Sequence, residues 1–144
     1  MNNNVKEAID FYTSVFKTAK VTGVVYWPDK PDVVLTATFK LDNIEFCAVN
    51  GNDQFKFNES ISFQIHCETQ EETDYYHEKL SAGGQVLPCG WLKDKFGMAW
   101  QATPVELIKM VTDPDRAKAQ RAMQVMMTQE KIDLAPIKKA FEGH

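Results

Sequence analysis

The chain has 144 residues, 44% of them apolar and 25% charged, with a formal net charge of −4. That length suits one compact domain or two small repeats sharing a core, and a weak acidic balance without a basic cluster argues against a nucleic-acid partner. No apolar run approaches the roughly 20 residues of a membrane helix, and the opening Met1-Asn2-Asn3-Asn4 has neither the basic flank nor the apolar stretch of a signal peptide.

The first segment has helical spacing. Val5, Ala8, Ile9, Tyr12 and Phe16 fall on one face, Asn4 is placed to cap it, and Glu7 follows three residues later. Lys20 to Trp27, rich in Val and aromatics, suits a strand. Pro28 to Asp32 is a break. Val33 to Leu41 and Ile44 to Asn50 then form a hairpin turning at Asp42-Asn43. A polar connection from Gly51 to Glu59 carries Phe55 and Phe57.

The second half repeats the order. Ser60 to Cys67 alternates as a half-buried strand, with Ile61, Phe63, Ile65 and Cys67 on one side and Ser60, Ser62, Gln64 and His66 on the other. Thr69 and Glu72 make a capping box for a helix that Gly83-Gly84 ends near Ala82. Strands follow near Gln85 to Leu87, Gly90 to Lys93 and Met98 to Thr103. Asp113-Pro114 starts a helix with Pro at its first position, and Ala119, Ala122, Met123, Met126 and Met127 give it an apolar stripe suited to covering a sheet or a partner subunit. A short helix follows from Leu134 to Phe141, and Glu142-Gly143-His144 reads as a tag remnant.

Each half thus reads as βαβββ, except that the opening strand of the first is absent. The expectation is an N-terminus truncated by one strand, since the loss would expose a sheet edge. The expected fold is α+β: one domain over residues 1–144, with module one at about 1–52, module two at about 59–104 and a helical extension at about 105–141.

The stretches Asn4 to Tyr12, Ser60 to Phe63, Leu80 to Gly84 and above all Cys89 to Gln101 (CGWLKDKFGMAWQ) carry a resemblance. The chain resembles the PhnB-like branch, often labelled 3-demethylubiquinone 3-methyltransferase, of the vicinal oxygen chelate (glyoxalase/bleomycin-resistance) superfamily. The resemblance implies paired modules around a cup, and a homodimer. In metal-using relatives four inward His, Glu or Gln side chains hold a divalent cation, a Lewis acid that polarises the substrate. Carried over, one position falls on the absent strand and the others on Asn50, Ser60 and Gln101, neutral groups that transition metals disfavour.

The expectation is therefore a metal-free protein that binds a small organic molecule, with no cofactor and no catalytic residue assigned. Trp27, Asn50, Ser60, Ser62, Gln64, His66 and Gln101 would line the cup, their hydroxyls and amides suited to a small polar ligand. The alternative is a metal-dependent lyase, isomerase or dioxygenase, requiring His66 or Glu45 to turn inward. Methyltransferase activity is set aside, because no GxGxG stretch and no doubly wound sheet pattern is present. His77, among Glu78 and Lys79, reads as a surface residue. Trp91 and Trp100 read as filling between sheet and helix, with period two sending Trp100 to the face opposite Gln101. Three widely spaced cysteines, Cys47, Cys67 and Cys89, form no CxxC pair; the expectation is reduced thiols and a cytoplasmic location, with Cys89 a half-buried residue rather than a reactive one.

Overall fold

The computed structural model describes residues 4–144; Met1 to Asn3, on which the reading of the N-terminus partly rests, lie outside the described residues. The chain forms two compact units, Met1–Lys56 and Phe57–His144, and the architecture is α+β.

In the first unit, helix α1 (Val5–Val15) is followed by β1 (Lys20–Trp27), β2 (Lys30–Leu41) and β3 (Ile44–Val49) in an antiparallel sheet of order β1-β2-β3. Val5, Ala8, Ile9, Tyr12 and Val15 bury the apolar stripe of α1 against β2, where Ala37, Phe39 and Leu41 alternate inward. Tyr12 stacks on Phe39 at 6.0 Å and Phe39 on Phe46 at 5.5 Å. The expected break shrinks to Pro28-Asp29, because Lys30 already pairs with Trp27. At the second turn Asp42 takes φ 51°, a left-handed conformation that Asp tolerates better than most residues.

The start of α1 differs from expectation. Asn4 makes no side-chain cap bond. Instead Val5 N donates to Asn50 Oδ1 at 3.2 Å, and Asn50 Nδ2 donates to Val34 O at 2.7 Å. The cap comes from 45 residues away, which no local capping signature can reveal.

The second unit contains β4 (Phe63–Cys67), α2 (Gln70–Ser81), β5 (Gln85–Val86), β6 (Trp91–Lys93), β7 (Ala99–Pro104), α3 (Val105–Val111), α4 (Arg116–Met126) and α5 (Leu134–Glu142). Its sheet runs β4-β7-β6-β5, with β4 and β7 parallel and the other pairs antiparallel. Strand β4 is shorter than predicted: Ser60 lies in a turn and Ile61 in a bend, Ser62 precedes the strand, and Ile61 is 71% exposed. Helix α2 is capped by Thr69 Oγ1, which accepts from Glu72 N at 3.1 Å, while Glu72 Oε2 accepts from Glu68 N at 2.7 Å. The capping box holds with its return bond one residue early. Leu80 and Thr73 of α2 bury themselves on the face formed by Cys67, Leu92, Trp100 and Ala102.

Two expectations fail here. His77 is not a surface residue: it is 6% exposed, on the buried side of α2 together with Thr73 and Leu80, at positions 73, 77 and 80 of one stripe. Pro114 does not open the tail helix: α4 is capped by Asp115, whose Oδ1 accepts from Ala117 N at 3.0 Å and Lys118 N at 3.2 Å, and α3 is a separate short helix before it. The three tail helices share a core of Leu107, Met110, Ala122, Ile132, Leu134 and Ile137. Of the expected stripe Ala119 and Ala122 are buried, whereas Met123 and Met127 are exposed. Gly143, at φ 91°, donates to Lys139 O and Ala140 O and completes the C-terminal cap of α5.

Candidate functional site

The register of the second sheet sorts its side chains cleanly. Gln64 lies opposite Gln101, His66 opposite Thr103, and Trp91 opposite Gln101 on the other side. Because side chains alternate along a strand, these five share one face, and Phe63, Cys67, Leu92, Trp100 and Ala102 share the other, against α2. Trp100 is 2% exposed, on the face opposite Gln101 as period two requires.

The polar face carries a continuous hydrogen-bond chain. His66 Nε2 lies 2.9 Å from Gln64 Oε1. Gln64 Nε2 donates to Gln101 Oε1 and to Thr103 Oγ1, both at 3.3 Å. Gln101 Nε2 donates to Ser62 Oγ at 2.8 Å. An amide oxygen only accepts, so His66 Nε2 carries the proton in this contact. The chain therefore has a direction, from His66 through the two amides to Ser62. It leaves the Ser62 hydroxyl hydrogen at one end and His66 Nδ1 at the other.

The remaining expected residues are on other segments of the chain. Ser60 precedes the strand, where its N and Oγ donate to Asn58 Oδ1 at 2.9 and 2.5 Å in a local turn. Asn50 belongs to the first unit, and its buried amide is engaged by Val5 and Val34. Trp27 ends β1 of that unit and is 40% exposed. Glu45, the acid that a metal reading would need, pairs across β2–β3 with Lys40 and is exposed.

Thr103, Trp91 and Lys93 were not foreseen on the polar face, though each shares the parity of Gln101 through the register. Lys93 Nζ lies 2.5 Å from Glu59 Oε1, and the hydrogen bond from this ammonium holds the Glu59 carboxyl below the usual carboxylate range. Among the cysteines, burial pushes the Cys67 thiol up to about 11, which makes it a poor nucleophile. Cys89 is half-buried at φ 62°, with its N–H donated to Gln129 O at 2.8 Å.

The donor set does not fit a transition metal. The amide oxygens of Gln64 and Gln101 already accept hydrogen bonds from neighbours, and among the described residues no three His, Cys, Asp or Glu side chains gather.

The family model for 3-demethylubiquinone-9 3-methyltransferase matches residues 1–103. Among solved structures, the PhnB protein from Bacillus cereus is similar at 31% identity and TM-score 0.68, over 73% of this chain and 94% of that one. Protein PA1353 from Pseudomonas aeruginosa shares the fold at 18% identity and TM-score 0.56, over 69% of this chain and 87% of that one. No curated protein matches the chain.

Proposed function

The chain belongs to the 3-demethylubiquinone-9 3-methyltransferase family, and from that premise we propose that it is a glyoxalase-like, metal-free protein that binds a small organic molecule on the polar face of its second sheet. The observation that carries this reading is the directed chain His66–Gln64–Gln101–Ser62. Such a chain fixes donor and acceptor positions in advance, so a ligand meets an ordered polar surface instead of having to order it. Methyl transfer is not part of the proposal. The two sheets hold one parallel strand pair between them, whereas nucleotide-type cofactors use the switch point of an open parallel sheet. The protein acts in the cytoplasm as a homodimer in this reading.

The test is calorimetric screening of small polar organic molecules against the purified protein and Gln101→Ala. Loss of the central amide interrupts the chain and should weaken binding by about ten-fold, the value of roughly one hydrogen bond left unmade. A panel whose affinities are identical in both proteins would sink the site. Elemental analysis finding about one Ni, Zn, Mn or Fe per chain would overturn the metal-free reading and favour a lyase, isomerase or dioxygenase. Light scattering should give twice the chain mass.

A further inference from the structure

Lys93 gives the polar face a charge that the amide and hydroxyl chain lacks. Its strand neighbour Leu92 is fully buried toward α2, so Trp91 and Lys93 both point to the side of Gln101. Trp91 is registered beside Gln101, and Lys93 follows two residues later, about 7 Å along the strand at roughly 3.3 Å per residue. The Lys93 side chain is 25% exposed, and its ammonium attracts a counter-ion. Glu59 supplies one. Its side chain is 45% exposed and projects from the turn-forming stretch ahead of β4, outside any helix or strand.

We infer that the ligand of this face is a planar organic carboxylate, that Lys93 determines its charge specificity, and that Glu59 occupies the Lys93 ammonium in the empty protein. The inference rests on the binding reading above and deepens it. The Trp91 indole offers a flat apolar surface for a ring. The amide chain offers hydrogen bonds at one end of that ring, and Lys93 faces the other. The exposed carboxylate of Glu59 is the easiest partner to exchange for a ligand carboxylate of the same charge. The pair with Glu59 then acts as a built-in competitor, so removing the glutamate charge should favour the ligand.

The experiment measures nicotinate and nicotinamide binding by calorimetry to the full chain, Lys93→Gln and Glu59→Gln, with circular dichroism checking the fold of each. The two probes share ring and shape and differ in charge. Nicotinate should bind the unmodified chain at least ten-fold more tightly than nicotinamide, and its affinity should fall with added salt. Lys93→Gln should remove that preference. Glu59→Gln should tighten nicotinate about two- to five-fold, as the loss of one partly exposed ion pair predicts, and leave nicotinamide unchanged. A merely structural ion pair would move the melting temperature and neither affinity ratio. Equal affinity for the two probes, or no response to Glu59→Gln, overturns the inference while leaving the binding reading intact. If neither probe binds but other molecules depend on Gln101, the carboxylate inference alone fails; if no molecule depends on Gln101, both fall.

Discussion

The indole Nε1 of Trp100 donates to Asp94 Oδ2 at 2.8 Å, across the hairpin that joins β6 to β7. Both residues are 2% exposed. The other oxygen of Asp94 accepts from Phe96 N at 2.9 Å and Met98 N at 3.0 Å. One buried carboxylate thus shapes the turn and anchors the tryptophan behind the polar face. Most of the distinctive Lys93-Asp94-Lys95-Phe96-Gly97…Trp100-Gln101 run is explained by this bond set: it positions the site instead of performing chemistry.

Asp94→Ala should therefore destabilise the protein by about 2–3 kcal/mol, because the buried Trp100 indole and two half-buried backbone donors lose their acceptor. Asp94→Asn keeps the shape, loses the charge and should cost about half as much. Urea denaturation measures both; a shift below about 1 kcal/mol for the alanine variant would contradict the role given to the carboxylate.

Asn50 joins α1 to β2 through its two bonds to Val5 and Val34. Asn50→Ala leaves one helix donor and one strand acceptor unpaired and should cost roughly 1–2 kcal/mol. Asn50→Asp keeps the cap but sets a buried carboxylate oxygen against Val34 O, so it should cost at least as much as alanine. If ligand affinity, rather than stability, were what changed in Asn50→Ala, its role would lie in binding.

His77 should make stability sensitive to mild acid. Burial, with the Lys131 charge adding to it, lowers its pKa from 6.5, against the opposing pull of Asp74 and Glu130. The folded protein therefore prefers the neutral ring. This contribution is full above pH 6.5, the unfolded value, and is lost as the pH falls from there through the depressed folded value. The slope cannot exceed about 1.4 kcal/mol per pH unit for one proton. Asp74, whose carboxyl Lys131 holds below its usual range, loses its own contribution only in stronger acid. Melting curves between pH 8 and pH 5 should show the decline, and His77→Gln should flatten it; an unchanged profile would assign the effect to another group.

Gly84 has no room for a side chain. A Cβ there would lie 2.0 Å from Lys93 O and 2.7 Å from Asp94 C, both backbone atoms that the β5–β6 pairing holds in place. Gly84→Ala should cost more than 3 kcal/mol or prevent folding. At neighbouring Gly83, φ is 75° and a Cβ would meet only the Lys95 side chain at 3.4 Å. Gly83→Ala should cost about 1–2 kcal/mol, the penalty of a left-handed alanine. Thermal unfolding of soluble variants ranks them, and a reversed order would be inconsistent with the close approach.

Much of this fold is legible in local sequence. The α1 stripe, the run from Lys20 to Trp27 and the Thr69–Glu72 cap all act through neighbours within four residues, and the elements form where those patterns predict. Gln64 and His66 were legible for the same reason: alternation places a side chain on a face without knowledge of its partner strand, whereas Gln101 came from the resemblance. Ser60 was not, because a strand pattern extends by parity into residues that Asn58 bends into a turn.

What local pattern cannot carry is which distant group completes a bond. The parallel pairing of β4 with β7 brings Gln64 to Gln101 and His66 to Thr103 across 37 residues of chain, and antiparallel β6 adds Trp91 and Lys93 to the same face. Asn50 caps a helix 45 residues upstream, and α2 turns His77 inward only because a sheet is there to bury it. The sequence by itself determined the order of elements and the polar character of the strand faces. Tertiary structure alone decided which of those polar groups meet, because hydrogen-bond partners and desolvation are set by neighbours in space and not by period along the chain.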